Sequence, residues 1–237
     1  MSSFREIEKG NVDLSFKLTT KMLRATWAHG ETVILKLTDQ HEVEVLLRLH
    51  GNQYAKQSRI IPLVGVIDGR LLVLPLRSPL LHFLYLDAKD DDVGVLAGQF
   101  MEGVEYLQHS SVAHLDLKPD NIVVQRDRES KELDLSIIDF NIAVFADVEL
   151  TISASDGTPG WCAPEISAGK SCNPLLADRW SCGRVLAFFT KHMKQSRLRE
   201  TMLFWSQLLM NPEPSLRPSI SDLRALRPQE MRPNPST

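Results

Sequence analysis

His114-Leu115-Asp116-Leu117-Lys118-Pro119-Asp120-Asn121, followed after a short hairpin pattern by Asp139-Phe140-Asn141, is the stretch on which the reading of this chain turns. It holds a carboxylate that can take a hydroxyl proton (Asp116), a lysine two residues on (Lys118), an asparagine (Asn121) and a second carboxylate (Asp139). Oxygens such as those of Asn121 and Asp139 suit a hard cation like magnesium. Together these groups are the parts that moving a phosphoryl group requires. The competing reading is a polar turn, because Asp-x-x-Pro-Asp-Asn is also a composition that loops favour for local hydrogen bonding. The surrounding sequence decides between them.

Ile122-Val123-Val124 and Leu135-Ser136-Ile137-Ile138 flank a solvated loop, Arg126 to Glu132, and predict a β-hairpin that brings Asn121 and Asp139 close together. Further upstream, Thr32-Val33-Ile34-Leu35-Lys36-Leu37 and Arg70-Leu71-Leu72-Val73-Leu74 read as strands. Between them Glu42 to Leu49 carries Val43, Leu46, Leu47 and Val45, Leu49 at helical spacing. From Ser78 onward the pattern is helical. Ser78 as N-cap and Pro79 in the first turn are expected to open Leu80 to Leu86. A longer helix is expected after the acidic run Asp90-Asp91-Asp92, continuing through Phe100, Val104 and Leu107. Trp180 to Phe189 and Thr201 to Met210 predict two more helices, and the polar, proline-rich tail after Leu226 a loosely held end.

With 237 residues, 43% hydrophobic and 24% charged, the chain can bury a sizeable core as one large domain or two lobes. A formal net charge of -3 gives no basic footprint for nucleic acid or an anionic membrane, so neither is expected as a partner. Cys162, Cys172 and Cys182 form no Cys-x-x-Cys pair, and reduced, buried thiols are expected. The start, Met-Ser-Ser-Phe-Arg-Glu, has no apolar signal core, and no apolar run is long enough to span a bilayer. The expected location is the cytoplasm or nucleus.

The quoted stretch resembles the catalytic loop and metal motif of eukaryotic protein kinases, His-Arg-Asp-Leu-x-x-x-Asn and then Asp-Phe-Gly. Ala163-Pro164-Glu165, Asp178-Arg179-Trp180-Ser181-Cys182-Gly183 and Leu216-Arg217-Pro218-Ser219 follow in that family's order. The resemblance implies an α+β, two-lobed protein kinase-like fold: a small β-rich N-lobe over 1–77, a larger mainly helical C-lobe over 78–226, and a flexible tail over 227–237. It implies ATP and Mg2+ as cofactors and a protein substrate. Asp116 would be the base, Lys118 would offset charge on the γ-phosphate, and Asn121 with Asp139 would hold magnesium. Glu165 would pair with Arg217, and Asp178 would hydrogen-bond the catalytic-loop backbone. The Lys118-Pro119 pair, and Thr158 in Gly157-Thr158-Pro159, resemble the serine/threonine branch.

In the small lobe, Val33-Ile34-Leu35-Lys36 resembles the strand whose lysine pairs the nucleotide phosphates and a helix glutamate. Glu42 is preferred to Glu44 as that glutamate, although Asp39-x-x-Glu42 reads equally as a capping box. If Leu74 is the gatekeeper, the Pro75 carbonyl and the Arg77 amide are placed to meet adenine, and Val123 belongs to the same nucleotide site.

Four departures from the family pattern stand out. Leu115 replaces an arginine, so a phosphothreonine would lack its strongest bidentate partner, and phosphorylation of Thr151, Ser153 or Ser155 is expected not to be an obligatory switch. Asn141 replaces glycine; asparagine is among the few residues that reach positive φ cheaply, so Asn141 either supplies that freedom or locks the segment. Asp13 to Met22 has no glycine where a glycine-rich lid is expected, and Gly183 to Arg217 is short enough to omit a substrate-docking helix. These departures keep open a non-catalytic binding or scaffold module (a pseudokinase), a small-molecule kinase, and a regulatory protein partner that completes the small lobe.

Overall fold

A computed structural model describes residues 13–17, 21–27, 30–51, 58–89, 91–146 and 157–225. Thr151, Ser153, Ser155 and the tail after Leu226 lie outside the described residues, as does part of the Asp13 to Met22 stretch.

The first half is an antiparallel sheet carrying one helix. Its strands are β1 (Asp13–Lys17), β2 (Met22–Thr26), β3 (Thr32–Leu37), β4 (Gly65–Ile67) and β5 (Leu71–Pro75), in the order β1-β2-β3-β5-β4. Helix α1 (Gln40–His50) crosses between β3 and β4. In β3, Val33 and Leu35 are buried on one face, as the alternation of a half-buried strand requires. Asp68 and Gly69 both have positive φ, and the Arg70 amide donates to Ile67 O at 3.2 Å, which closes the β4–β5 hairpin with a tight turn matched to strand twist. Pro75 ends β5 opposite Val33, out of phase with Leu76, whose amide donates to Thr32 O. A missing N–H therefore costs no ladder bond there, and the Pro75 carbonyl points away from β3.

The second half is mainly helical. It comprises β6 (Ser78–Pro79), α2 (Leu80–Leu86), α3 (Asp92–His109), β7 (Val112–Ala113), β8 (Ile122–Arg126), β9 (Leu133–Ile137), β10 (Val144–Phe145), α4 (Pro164–Ser167), α5 (Pro174–Lys191), α6 (Arg197–Leu209) and α7 (Ile220–Ala225). The α3 stripe of Leu96, Phe100, Val104 and Leu107 is fully buried at helical spacing. Asn173 caps α5 by accepting from Leu175 N and Leu176 N, and Pro174 takes the first helical position, where its missing N–H is harmless. Gly183 lets α5 meet α6, since a Cβ there would lie 2.8 Å from Ser206 O and 2.9 Å from Leu209 Cβ. One buried cluster runs from Leu46 and Leu49 of α1 and Leu72 of β5 to Phe100, Ile137, Phe140 and Phe189, so the sheet and the helices share a core.

One helix start differs from expectation. Ser78 does not cap α2: Ser78 and Pro79 pair with Val124 and Val123, and Pro79 becomes the cap residue without a side-chain bond. The β8 strand offers Ser78 a ladder partner, which outweighs a local cap. The long helix does begin at the acidic run, and the Asp92 carboxylate in its first turn accepts from Lys89 N and pairs with Arg126.

Candidate active site

Asp116 sits in the loop between β7 and β8, and its neighbours fix its shape. Leu115 takes φ 64, a left-handed conformation costing roughly 1–2 kcal/mol for a residue with a Cβ. Asp178, buried on α5, compensates by accepting the His114 amide at 2.5 Å and the Leu115 amide at 2.8 Å. Burial pushes the Asp178 carboxyl up to about 7; the two amides pull against that shift and the Asp116 charge adds to it. The Leu115 side chain lies in an apolar cluster with Ala146, Cys162, Ala163 and Ile166, where an arginine would need a charge partner.

Three residues converge on the Asp116 carboxylate. Oδ1 accepts from Thr158 Oγ1 at 2.7 Å and Thr158 N at 3.2 Å; Oδ2 accepts from Lys118 Nζ at 2.6 Å and Asn121 Nδ2 at 2.9 Å. Lys118 Nζ also donates to Thr158 Oγ1 at 2.6 Å. Burial would raise the Asp116 carboxyl, but the bonds from Lys118 and Thr158, the Lys118 charge and Asn121 together hold it below the usual carboxylate range. At neutral pH it is an oriented carboxylate.

His114 ties this loop to the Asp139 segment. Its ring is fully buried, accepts the Asp116 amide at Nδ1 (3.3 Å), and donates from Nε2 to Ile138 O (3.0 Å), which fixes the neutral tautomer. It lies against the Phe140 ring at 4.8 Å between centroids. Burial lowers its pKa, against the Ile138 carbonyl and the charges of Asp116, Asp139 and Glu42. The β8–β9 hairpin adds a backbone link, Ile138 N to Asn121 O at 3.0 Å.

On the sheet side, Lys36 Nζ lies 2.7 Å from Glu42 Oε1 and 2.6 Å from Asp139 Oδ1. Glu42 also accepts from the Phe140 amide at 3.0 Å and from Thr38 Oγ1. Asp39 does cap α1, accepting from Glu42 N at 3.0 Å, but the Glu42 side chain turns to Lys36 rather than back to the helix start. Glu44 faces away and accepts from Gln40 at 2.9 Å. Asn141 does not itself take a positive φ; Asp139 does, at φ 72. The reason is the pull of Lys36 on the Asp139 side chain and of Glu42 on the next amide. Asn141 Nδ2 donates to Asp139 Oδ1 at 2.5 Å, and Thr38 Oγ1 lies 3.1 Å from Asn141 Oδ1.

The donor chemistry fits magnesium. Both protein donors to Asp139 meet Oδ1, so Oδ2 receives none among the described residues, and the side chain is 35% exposed. Asn121 donates from its amide nitrogen to Asp116 O and Oδ2, which leaves its side-chain carbonyl as an acceptor. Among the described residues no group of three His, Cys, Asp or Glu could hold a metal, but magnesium on nucleotide phosphates needs only one or two protein ligands.

Leu74 and Val123 are largely buried in the shared core, Leu74 on β5 and Val123 on β8 opposite Ser136. Arg77 holds more than the sequence disclosed. Its guanidinium crosses to the hairpin, donating to Ser136 Oγ at 2.7 Å and Asp134 Oδ2 at 2.7 Å, so it pins the connection between sheet and helices. Nothing local marks that bond, nor the places of His114 and Thr38, since all three depend on distant partners. Farther out, the fully buried Arg217 meets Glu165 bidentately at 2.5 and 3.0 Å, and donates to Leu176 O and Asn211 O. The three cysteines are free and buried.

The fold and this site define a protein kinase, and a protein kinase domain model matches residues 49–222; the chain belongs to that family. Lys36 and Glu42 precede the matched span, so their pairing rests on geometry. The chain is 29% identical over 195 residues to human calcium/calmodulin-dependent protein kinase type IV, covering 77% of this chain and 40% of that protein. It is 36% identical over 89 residues to CBL-interacting serine/threonine-protein kinase 8 of Arabidopsis thaliana, 37% of this chain and 19% of that protein. Sperm motility kinase 2B of Mus musculus is 24% identical over 232 residues, 87% of this chain and 45% of that protein. The matches thus span less than half the length of these relatives. Among the described residues no helix is long and apolar enough to cross a membrane.

Proposed function

We propose that this chain transfers the γ-phosphoryl group of ATP to serine or threonine hydroxyls of protein substrates. The observation that carries this reading is the convergence of Lys118, Thr158 and Asn121 on the Asp116 carboxylate. Asp116 orients the acceptor hydroxyl and receives its proton as the phosphorus–oxygen bond forms; its lowered pKa suits it to positioning more than to early deprotonation. Lys118 offsets charge on the transferring group. Lys36, held by Glu42, positions the nucleotide, with Leu74, Pro75, Arg77 and Val123 at the adenine side. Asp139 and Asn121 hold magnesium, which when bound neutralises charge on the nucleotide phosphates. The apolar seat of Leu115 supports an activation segment that needs no phosphate for docking.

Purified protein incubated with labelled ATP, magnesium and a mixed serine/threonine peptide set should transfer label, and Asp116→Ala should reduce that rate about 10³-fold. A second reading, a nucleotide-binding scaffold without turnover, draws on the glycine-free Asp13 to Met22 stretch. It predicts no transfer but a magnesium-dependent rise in Tm with ATP.

A further inference from the structure

Five side chains close a ring at the join between α1 and the Asp139 segment. Lys36 bridges Glu42 and Asp139; Thr38 Oγ1 contacts Glu42 Oε2 and Asn141 Oδ1; Asn141 Nδ2 returns to Asp139 Oδ1. Two members, Thr38 and Asn141, have no part in the roles described above. We propose that Asn141 and Thr38 are positioning residues that lock the Asp139 carboxylate to the Glu42-bearing helix, holding the metal-binding side of the site assembled before nucleotide arrives.

The chemistry of the ring supports that role. Two carboxylates share one ammonium, so the ring carries an excess negative charge, and a neutral amide donor is what Asp139 can accept without losing its own charge. An amide turned the other way would set its oxygen against that carboxylate, so the donor orientation is the favourable one. Thr38 has a single hydroxyl hydrogen, shared between Glu42 and Asn141, and this couples the β3–α1 link to the segment 103 residues later. The lock grips Oδ1 alone and leaves Asp139 Oδ2 without a protein donor among the described residues. It also opposes relaxation of Asp139 from φ 72, a conformation that a non-glycine residue keeps only when its surroundings over-determine it. A glycine at 141 would supply no donor, and an aspartate there would repel Asp139.

The proposal rests on the kinase reading for its purpose, but its primary test does not. In the nucleotide-free protein, amide hydrogen exchange across residues 139–143 should quicken about tenfold in Asn141→Gly and in Thr38→Val, which keeps the shape but loses the hydroxyl. Thr38→Ser should return the wild-type rate. With nucleotide present, the magnesium-dependent Tm rise on adding ATP should shrink in Asn141→Gly and Thr38→Val relative to wild type. Unchanged exchange in both variants, or Thr38→Ser exchanging as fast as Thr38→Val, overturns the lock. If wild type shows no ATP-dependent Tm rise and no transfer, the kinase reading fails, while the exchange comparison still decides whether the ring holds the segment.

Discussion

The catalytic-loop side of this site and its sheet side are built differently. Asp116 is held by Lys118, Thr158 and Asn121, its loop by Asp178, and the scaffold behind it by the Glu165–Arg217 pair. Most of these anchors belong to the same helical region. On the sheet side, Lys36 finds its partner in Asp139, Glu42 in Phe140 and Thr38 in Asn141, all of which belong to the other region. The contrast shows a site whose acceptor half is shaped within the helical region, whereas its nucleotide half is built from side chains of both regions.

Removing the deepest anchor should give the largest effect on stability. Arg217→Ala leaves the Glu165 carboxylate and the Leu176 and Asn211 carbonyls without their donor in a buried site, and should cost about 3–5 kcal/mol in urea unfolding. A loss below 1 kcal/mol would break the claim that this region is self-anchored. On the sheet side, Lys36→Ala leaves Glu42 and Asp139 unpaired and should cost about 1–3 kcal/mol, while Glu44→Ala, on the solvent face of α1, should stay within about 0.5 kcal/mol. Equal effects from the two would erase the distinction between them.

The smallest effect is on pH dependence, and it carries opposite signs for two neighbours. Burial lowers His114 from 6.5, so the unfolded chain binds more protons just below that pH and stability is lost as pH falls through this range. Burial raises Asp178 from 3.8 to about 7, so its contribution is full below 3.8 and lost as pH rises toward 7. In a series of thermal melts between pH 4 and 7, the decline of Tm on acidification should be shallower in His114→Gln and steeper in Asp178→Asn than in wild type. Shifts of the same sign in both variants would remove the assignment.

Much of this was legible in residue order. The β3 strand, α1 and the β8–β9 hairpin announce themselves by periodicity, because each buries one face against whatever core is present. The grouping of Asp116, Lys118 and Asn121 was legible too, since a tight turn of fixed length brings them within reach of one another. Other features were not. The sequence favoured Glu42 over Glu44 but left a capping box open as well, and only the ion pair with Lys36 shows that the Glu42 side chain turns away from the helix start. Ser78 has the chemistry of a helix cap but joins β8, because a ladder partner from a distant segment offers it more. Residue chemistry left two readings open for Asn141, backbone freedom or a locked segment, and only the structure puts the positive φ on Asp139, whose side chain and following amide are drawn to two separate partners.

The sequence by itself determined the order of the elements and the identity of the ionisable groups, through local periodicity and short spacing, and its motifs carried the resemblance to the protein kinase family. Tertiary structure alone decided the crossing of Arg77 to Asp134 and the closing of the ring through Thr38 and Asn141. The physical reason is reach: a hydrogen bond spans about 3 Å, and the residues that make these bonds are separated along the chain by loops whose paths no local pattern specifies.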